Sequence, residues 1–282
     1  MTSDRVKIAD AAVSEWHFPN QATAPGSSGY YSIRFAPVHL HDALAALFGW
    51  RHEVRRIISD VSDPGVARLK LDWWRDEIRR SIDGAPRHPL SHALMPGLEH
   101  YALPIEPFLE QAQQVENTLY ARQNRDRQHQ HQALVQDRGA LFELICRCHA
   151  MDEPNHLATA RNAGAWCEQV RRIRDAGLLL RQGREVLPHD VLQDAGLSHE
   201  QLCSPEHRQR LPELLVPLVE GMLLRERPSH ADRVMPARAL RIQTRIHSAL
   251  LDELIRCKFD VVNQRIGLTP LRKLWIAWRT AV

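Results

Sequence analysis

The sequence predicts an all-α fold built as a single domain, on three observations. Apolar residues recur at spacings of three and four, as at Leu40, Ala43, Leu44, Leu47, Val54, Ile57 and Ile58, which is the stripe of a half-buried helix. No segment alternates polar and apolar residues over the length of a strand. Proline and glycine fall between the periodic stretches, where helices begin and end. No Gly-rich phosphate loop and no internal repeat breaks the pattern, and 282 residues suffice for a substantial core.

Residues 1–28 are polar and mixed, with Pro19, Pro25 and Gly26, and read as an irregular arm with a short helix near Ala11–Trp16. The helical domain spans residues 29–282. Gly29–Pro37 (GYYSIRFAP) is an apolar, aromatic lead-in, and Pro37 opens a helix that carries the stripe to Asp60. Ser62–Gly65 (SDPG) starts a helix that runs to Ile82 and stops at Asp83-Gly84; its Trp73 and Trp74 read as core. Pro86 and Pro89 lead into a weaker helix ending near Tyr101, and Pro104–Pro107 starts another that runs to about Arg127. Arg125–Gln132 (RDRQHQHQ) reads as a solvated loop, because its two histidines, at i and i+2, would face different sides of a helix. Gly139–Met151 is apolar enough to be buried, and Pro154–Leu180 is a long helix. Leu187-Pro188 ends a cationic turn and opens a short helix closing at Gly196, after which Ser198 is a capping signal. Helices over Pro205–Arg225, Met235–Arg265 and Pro270–Thr280 complete the chain; Trp275 and Trp278 on the last either pack it down or form a partner surface.

A net charge of +3 over this length, with no basic run interleaved with aromatics, argues against nucleic acid. The positive charge is mostly arginine, which suits bidentate contact with carboxylate or phosphate. Five cysteines without a completing second pair read as scattered thiols in a reducing compartment rather than a zinc site, Cys146-Arg-Cys148-His149 included. No run of 18 apolar residues would span a membrane, so the expectation is a cytoplasmic protein, with peripheral membrane contact left open.

Four segments occur in order: GYYSIRFAP at Gly29–Pro37, KLDWWRDEI at Lys70–Ile78, RDAGLLLRQGREVLP at Arg174–Pro188 and PLRKLWIAWR at Pro270–Arg279. Together they resemble the squalene/phytoene synthase family over roughly Ser28–Thr280. The resemblance implies an isoprenoid-synthase-type helical bundle with a deep central cavity. It also implies head-to-head joining of prenyl diphosphates, with diphosphate leaving as a magnesium complex. The family holds that magnesium with D-x-x-x-D pairs on two facing helices, a spacing that places both carboxylates on one face.

This chain departs from that pattern. The first pair matches Arg55 and Ser59; the second matches Asp175 and Leu179, and Arg171 replaces an Asn that usually precedes it. Asp175 is thus the one retained motif acid of four, and no residue is assigned a catalytic role. The resemblance makes Arg174, Arg181 and Arg184 diphosphate contacts and places Tyr30 and Tyr31 near the cavity. With Arg55, Arg171 and Asp175 they form the candidate ligand site. Two readings of the arginines stand side by side. They could bind an anion without metal, or Arg55 and Arg171 could pair internally with Glu53, Asp60, Glu168 and Asp175. The expected function is a catalytically degenerate member with a binding or assembly role, resembling the mitochondrial respiratory complex I assembly factors of this family. It would need no cofactor; its partners would be an isoprenoid or phosphorylated lipid, or a protein in assembly of a membrane complex. The alternative is an active head-to-head prenyltransferase using magnesium, and a carrier of small apolar molecules is compatible with either.

Overall fold

The computed structural model describes residues 12–120, 126–223, 227–228, 235 and 237–282, with backbone alone at 222 and 223. Every regular element among them is helical. Helix α1 (Ser28–Arg34) starts at Ser27, whose Oγ accepts the Tyr30 amide at 3.0 Å. Helix α2 (His41–Asp60) buries Leu44, Leu47, Trp50, Val54 and Ile57, the stripe read from the sequence. Asp63 caps and Pro64 opens α3 (Pro64–Ile82), which leads to α4 (Pro89–His100) and α5 (Glu106–Leu119). Trp50 sits where these helices meet α2, edge-on to Trp74 and Phe108 with centroids 5.4 Å apart in both pairs.

Next comes α6 (Arg127–Leu134), then a π-helical turn at Val135–Gly139 and α7 (Ala140–Cys148), of which all but Arg147 is buried. The longest element, α8 (Pro154–Arg181), packs against the π turn, α7 and α13. Four short helices follow, α9 (His189–Asp194), α10 (His199–Cys203), α11 (Pro205–Arg208) and α12 (Leu211–Leu218). Helix α13 (Arg238–Arg256) packs on α1 and α8, and α14 (Pro270–Ala281) lies along α13.

The π turn and α8 touch backbone to backbone at Gly139 and Gly164. A Cβ on Gly139 would lie 2.7 Å from the Arg161 carbonyl oxygen, and one on Gly164 would lie 2.6 Å from that of Arg138. No side chain fits there, so glycine sets how closely the turn approaches the helix.

Several sequence expectations are corrected. The solvated loop at Arg125–Gln132 is helix α6 from Arg127 onward: Asp126 caps it, and Gln130, Ala133 and Leu134 turn inward. Its buried face holds too little carbon to register as a stripe. The helix expected to reach Arg127 ends at Leu119, and residues 121–125 lie outside the described residues. The stretch expected as one helix over Pro205–Arg225 is α11, α12 and a second π turn at Val219–Leu223; residues 224–226 lie outside the described residues. Helix α13 begins at Arg238 and stops at Arg256, where Lys258 and Phe259 take positive φ values of 50° and 55°. Trp74 is core, but Trp73 is 42% exposed. The first eleven residues of the expected arm lie outside the described residues; beyond them Trp16 and Asn20 are buried, and the Asn20 amide donates to the Ala45 carbonyl at 3.0 Å.

Candidate functional site

Charged side chains from α2, the π turn and α8 meet in one place. From α2, Arg51 donates through Nε and Nη2 to the two oxygens of Asp137, at 2.9 and 2.8 Å, and Arg55 Nη1 also reaches Asp137. From α8, Glu168 accepts from Arg171 Nε at 3.0 Å and from its Nη2. Arg51 Nη2 lies 3.1 Å, Arg138 Nη1 3.5 Å and Arg55 Nη2 3.8 Å from the same carboxylate. Arg171 spans α8 lengthwise, donating also to Asp175 at 2.9 Å, while Arg174 chelates Asp175 with two bonds of 2.8 Å. Arg138 passes the network on to Gln243 of α13 at 2.9 Å, and Gln243 donates to Ser32 of α1 at 3.0 Å.

The pairing decides the protonation states. Burial pushes the Asp137 carboxyl up, but Arg51 and Arg55 outweigh it and hold it below the usual range. Glu168 behaves alike and is held well below that range by Arg171, Arg51 and Arg55. Arg172, whose Nη2 donates to the Glu185 carbonyl at 3.4 Å, is pulled down to about 10 by burial; Glu168 opposes this, and Arg171 and Arg55 add to it. Arg55 is also lowered, by burial first and by Arg51 and Arg171 against Asp137.

A pocket of about 330 Å³ opens on this cluster, a volume at the lower end for small-molecule sites. Arg55, Asp137, Arg171, Arg172 and Arg184 line its polar side; Ile58, Leu119, Ala133, Leu134 and Leu179 line the other. A second pocket, of about 320 Å³, is lined by Ser28, Arg174, His247, Arg265, Thr269 and Lys273. Burial, with Arg174 and Arg265 nearby, lowers the Lys273 ammonium pKa, so cations crowd here too.

The other sequence-predicted residues are placed as follows. Ser59 is exposed at the end of α2 and donates to Asp60 at 2.9 Å. Glu53 and Asp60 are both held by Arg56 at 3.0 Å, so neither reaches Arg55. Arg184 Nη2 donates to the Ile58 carbonyl at 3.2 Å and ties the cationic turn to α2. Arg181 points outward to the Val262 carbonyl at 3.0 Å. Tyr31 is buried, and Tyr30 stacks on Phe18 with ring centroids 5.3 Å apart. Sequence reasoning missed Arg51, Asp137 and Arg138, and counted Glu168 only as a pairing partner. The available signal was the Asp137-Arg138 dipeptide just ahead of an apolar run, where an unpaired charge would be too costly to bury.

The residues present do not fit a magnesium cluster. The positions that the sequence resemblance matches to three family ligands hold Arg55, Ser59 and Leu179, and both oxygens of Asp175 are taken by guanidinium groups. Magnesium needs carboxylate oxygens that no cation already holds. Among the described residues, no group of three His, Cys, Asp or Glu is arranged to hold a metal ion. No helix of the described residues is long and apolar enough to cross a membrane.

Comparison with known proteins supplies the context. A presqualene diphosphate synthase from Sinorhizobium fredii (strain NBRC 101917 / NGR234) is 25% identical over 285 residues, covering 94% of this chain and 97% of that relative. A crystal structure of a dehydrosqualene synthase in complex with ligand superposes with a TM-score of 0.72 at 16% identity, covering 99% of this chain and 96% of that one. A squalene synthase from Alicyclobacillus acidocaldarius superposes at 0.69 with 17% identity, covering 90% and 94%. Both confirm the isoprenoid synthase fold. A family profile described as squalene/phytoene synthase matches residues 22–273, nine-tenths of the length, and the chain therefore belongs to the squalene/phytoene synthase family.

Proposed function

We propose that this protein binds a prenyl diphosphate, with guanidinium groups meeting the diphosphate where the family resemblance implies magnesium. The observation that carries this reading is the half-apolar pocket walled by Arg55, Arg171, Arg172 and Arg184. Arg172 and Arg55 have pKa values lowered within their own surroundings, and an anion seated between them would relieve both. The apolar wall would take the first isoprene units. Thermal shift with farnesyl diphosphate, in EDTA and then in magnesium, tests it. The expected result is a rise in Tm that EDTA leaves intact and that Arg55→Gln or Arg172→Gln reduces. Binding that appears only with magnesium would overturn it.

A second reading, an active head-to-head prenyltransferase, is favoured by the near full-length match to a presqualene diphosphate synthase. It keeps the same substrate class but asks more of the site, since the arginines would then have to take up the departing diphosphate, with Asp175 holding Arg171 and Arg174 in place. Product from farnesyl diphosphate that disappears in Asp175→Asn would establish it. A role in assembling a membrane complex rests on the degenerate first motif and the closing Pro270–Arg279 segment, whereas the relatives named above carry synthase names.

A further inference from the structure

Helix α14 is turned inside out relative to an ordinary surface helix. Ile276 and Ala277 face the body of the protein, the Lys273 ammonium donates to the Gly26 carbonyl at 2.9 Å, and Arg272 pairs with Glu253 at 2.8 Å. These contacts fix its rotation. Leu271, Leu274, Trp275 and Trp278, spaced i, i+3, i+4 and i+7, then share the outward face. Leu271 is 78% exposed, and Trp275 and Trp278 are 54% exposed each. An apolar stripe on the solvent side of a pinned helix is an interaction surface in want of an occupant.

Charge identifies the occupant. Helix α14 holds Arg272, Lys273 and Arg279 and no acid. Residues 241–282 contain eight Lys and Arg against three Asp and Glu, in a chain whose net charge is only +3, so the remainder is net negative. Arg279 lies over the Trp275 ring at 4.9 Å, beside a groove of about 510 Å³ between α13 and α14 that Arg245 also lines. Tryptophan flanked by arginine at the edge of an apolar stripe is the composition of a helix lying in a membrane interface. A second copy is the poorer fit, because a two-fold contact through α14 would bring like charges together.

We propose that the outward face of α14 docks on an anionic lipid surface, with Leu271, Leu274, Trp275 and Trp278 entering the headgroup region and Arg272 and Arg279 meeting lipid phosphates. Co-sedimentation of the full chain tests this at low salt, with vesicles of phosphatidylcholine and with vesicles containing one-third phosphatidylglycerol. Preferential binding to the anionic vesicles is expected. Trp275→Ser with Trp278→Ser should lower the partition coefficient by about tenfold or more. Arg272→Gln with Arg279→Gln should weaken binding to anionic vesicles and reduce its salt dependence. All four positions are at the surface, and unchanged thermal melts would show the variants folded. Failure of the parent protein to sediment with anionic vesicles would overturn the proposal, as would undiminished binding by the tryptophan variant. A micromolar dimer that the tryptophan variant dissociates would assign the face to a second copy instead.

Discussion

Replacing Glu168 by Gln keeps the shape of α8 and removes one negative charge from its middle. The Glu168 side chain is 1% exposed and has Arg51, Arg55, Arg138 and Arg171 within 4 Å. Asp137 and Asp175 would then have to balance all four, and Asp175 is already chelated by a fifth arginine, Arg174, while Asp137 is chelated by Arg51 alone of the four. Breaking a buried ion pair from one side costs about 3–5 kcal/mol, because the stranded charge remains in poor solvent. The four arginines retain 6–31% of their side-chain exposure, so water reaches some of them and the lower end, about 3 kcal/mol, is expected. Against a total stability of about 5–15 kcal/mol this is a large fraction. It should lower the urea midpoint followed by circular dichroism by roughly 1 M. Asp76→Asn, which breaks only the surface pair with Arg79, should stay within about 0.5 kcal/mol. Inorganic pyrophosphate should stabilise the Glu168→Gln variant more than the parent, since the acid competes with it for the same guanidiniums. A loss below about 1 kcal/mol would refute the claim that Glu168 compensates this cluster.

Two further predictions concern the frame around the site. A Cβ on Gly177 would lie 2.1 Å from the Val261 carbonyl oxygen, so Gly177→Ala must push α8 from the turn after α13; a loss of about 3 kcal/mol by thermal melt is expected. His247 is buried on α13 with Nδ1 at 2.7 Å from the Gln243 carbonyl, and burial, then Arg138, hold its pKa well below normal. The folded protein keeps it neutral while the unfolded chain protonates it below about pH 6.5, so stability falls as pH drops through that value. One such proton contributes up to about 1.4 kcal/mol per pH unit. His247→Gln should make the urea midpoint less steep between pH 5 and 6.5; the slope will not vanish, because His52, His88 and His149 are lowered as well.

The helices that bury a wide carbon stripe were legible in the sequence, α2 and α8 among them, because periodicity reports directly on which side meets the core. Helix α6 was not, since its inward face is Gln130, Ala133 and Leu134 and its remaining residues are polar. The ends of α13 and the break after α11 were also out of reach, set by backbone angles at Lys258 and Phe259 and by a turn at Gln209–Arg210. At the site, the residues standing at the matched motif positions could be read from the sequence, whereas the balance of charge could not. Asp137 is 82 residues from Arg55 and 31 from Glu168, and only the close approach of two glycines shows that the three meet.

The π turn at Val135–Gly139 carries that meeting, and its length has a consequence for how this chain can change. A π turn holds one residue more than an α-helical turn, and the extra residue lets adjacent side chains, Asp137 and Arg138, both look inward. Deleting any one of the five would rotate α7 by about 100° relative to α6 and swing one of the two outward. Insertions and deletions should therefore be absent here in descendants that keep the arginine pocket, even where the individual side chains drift.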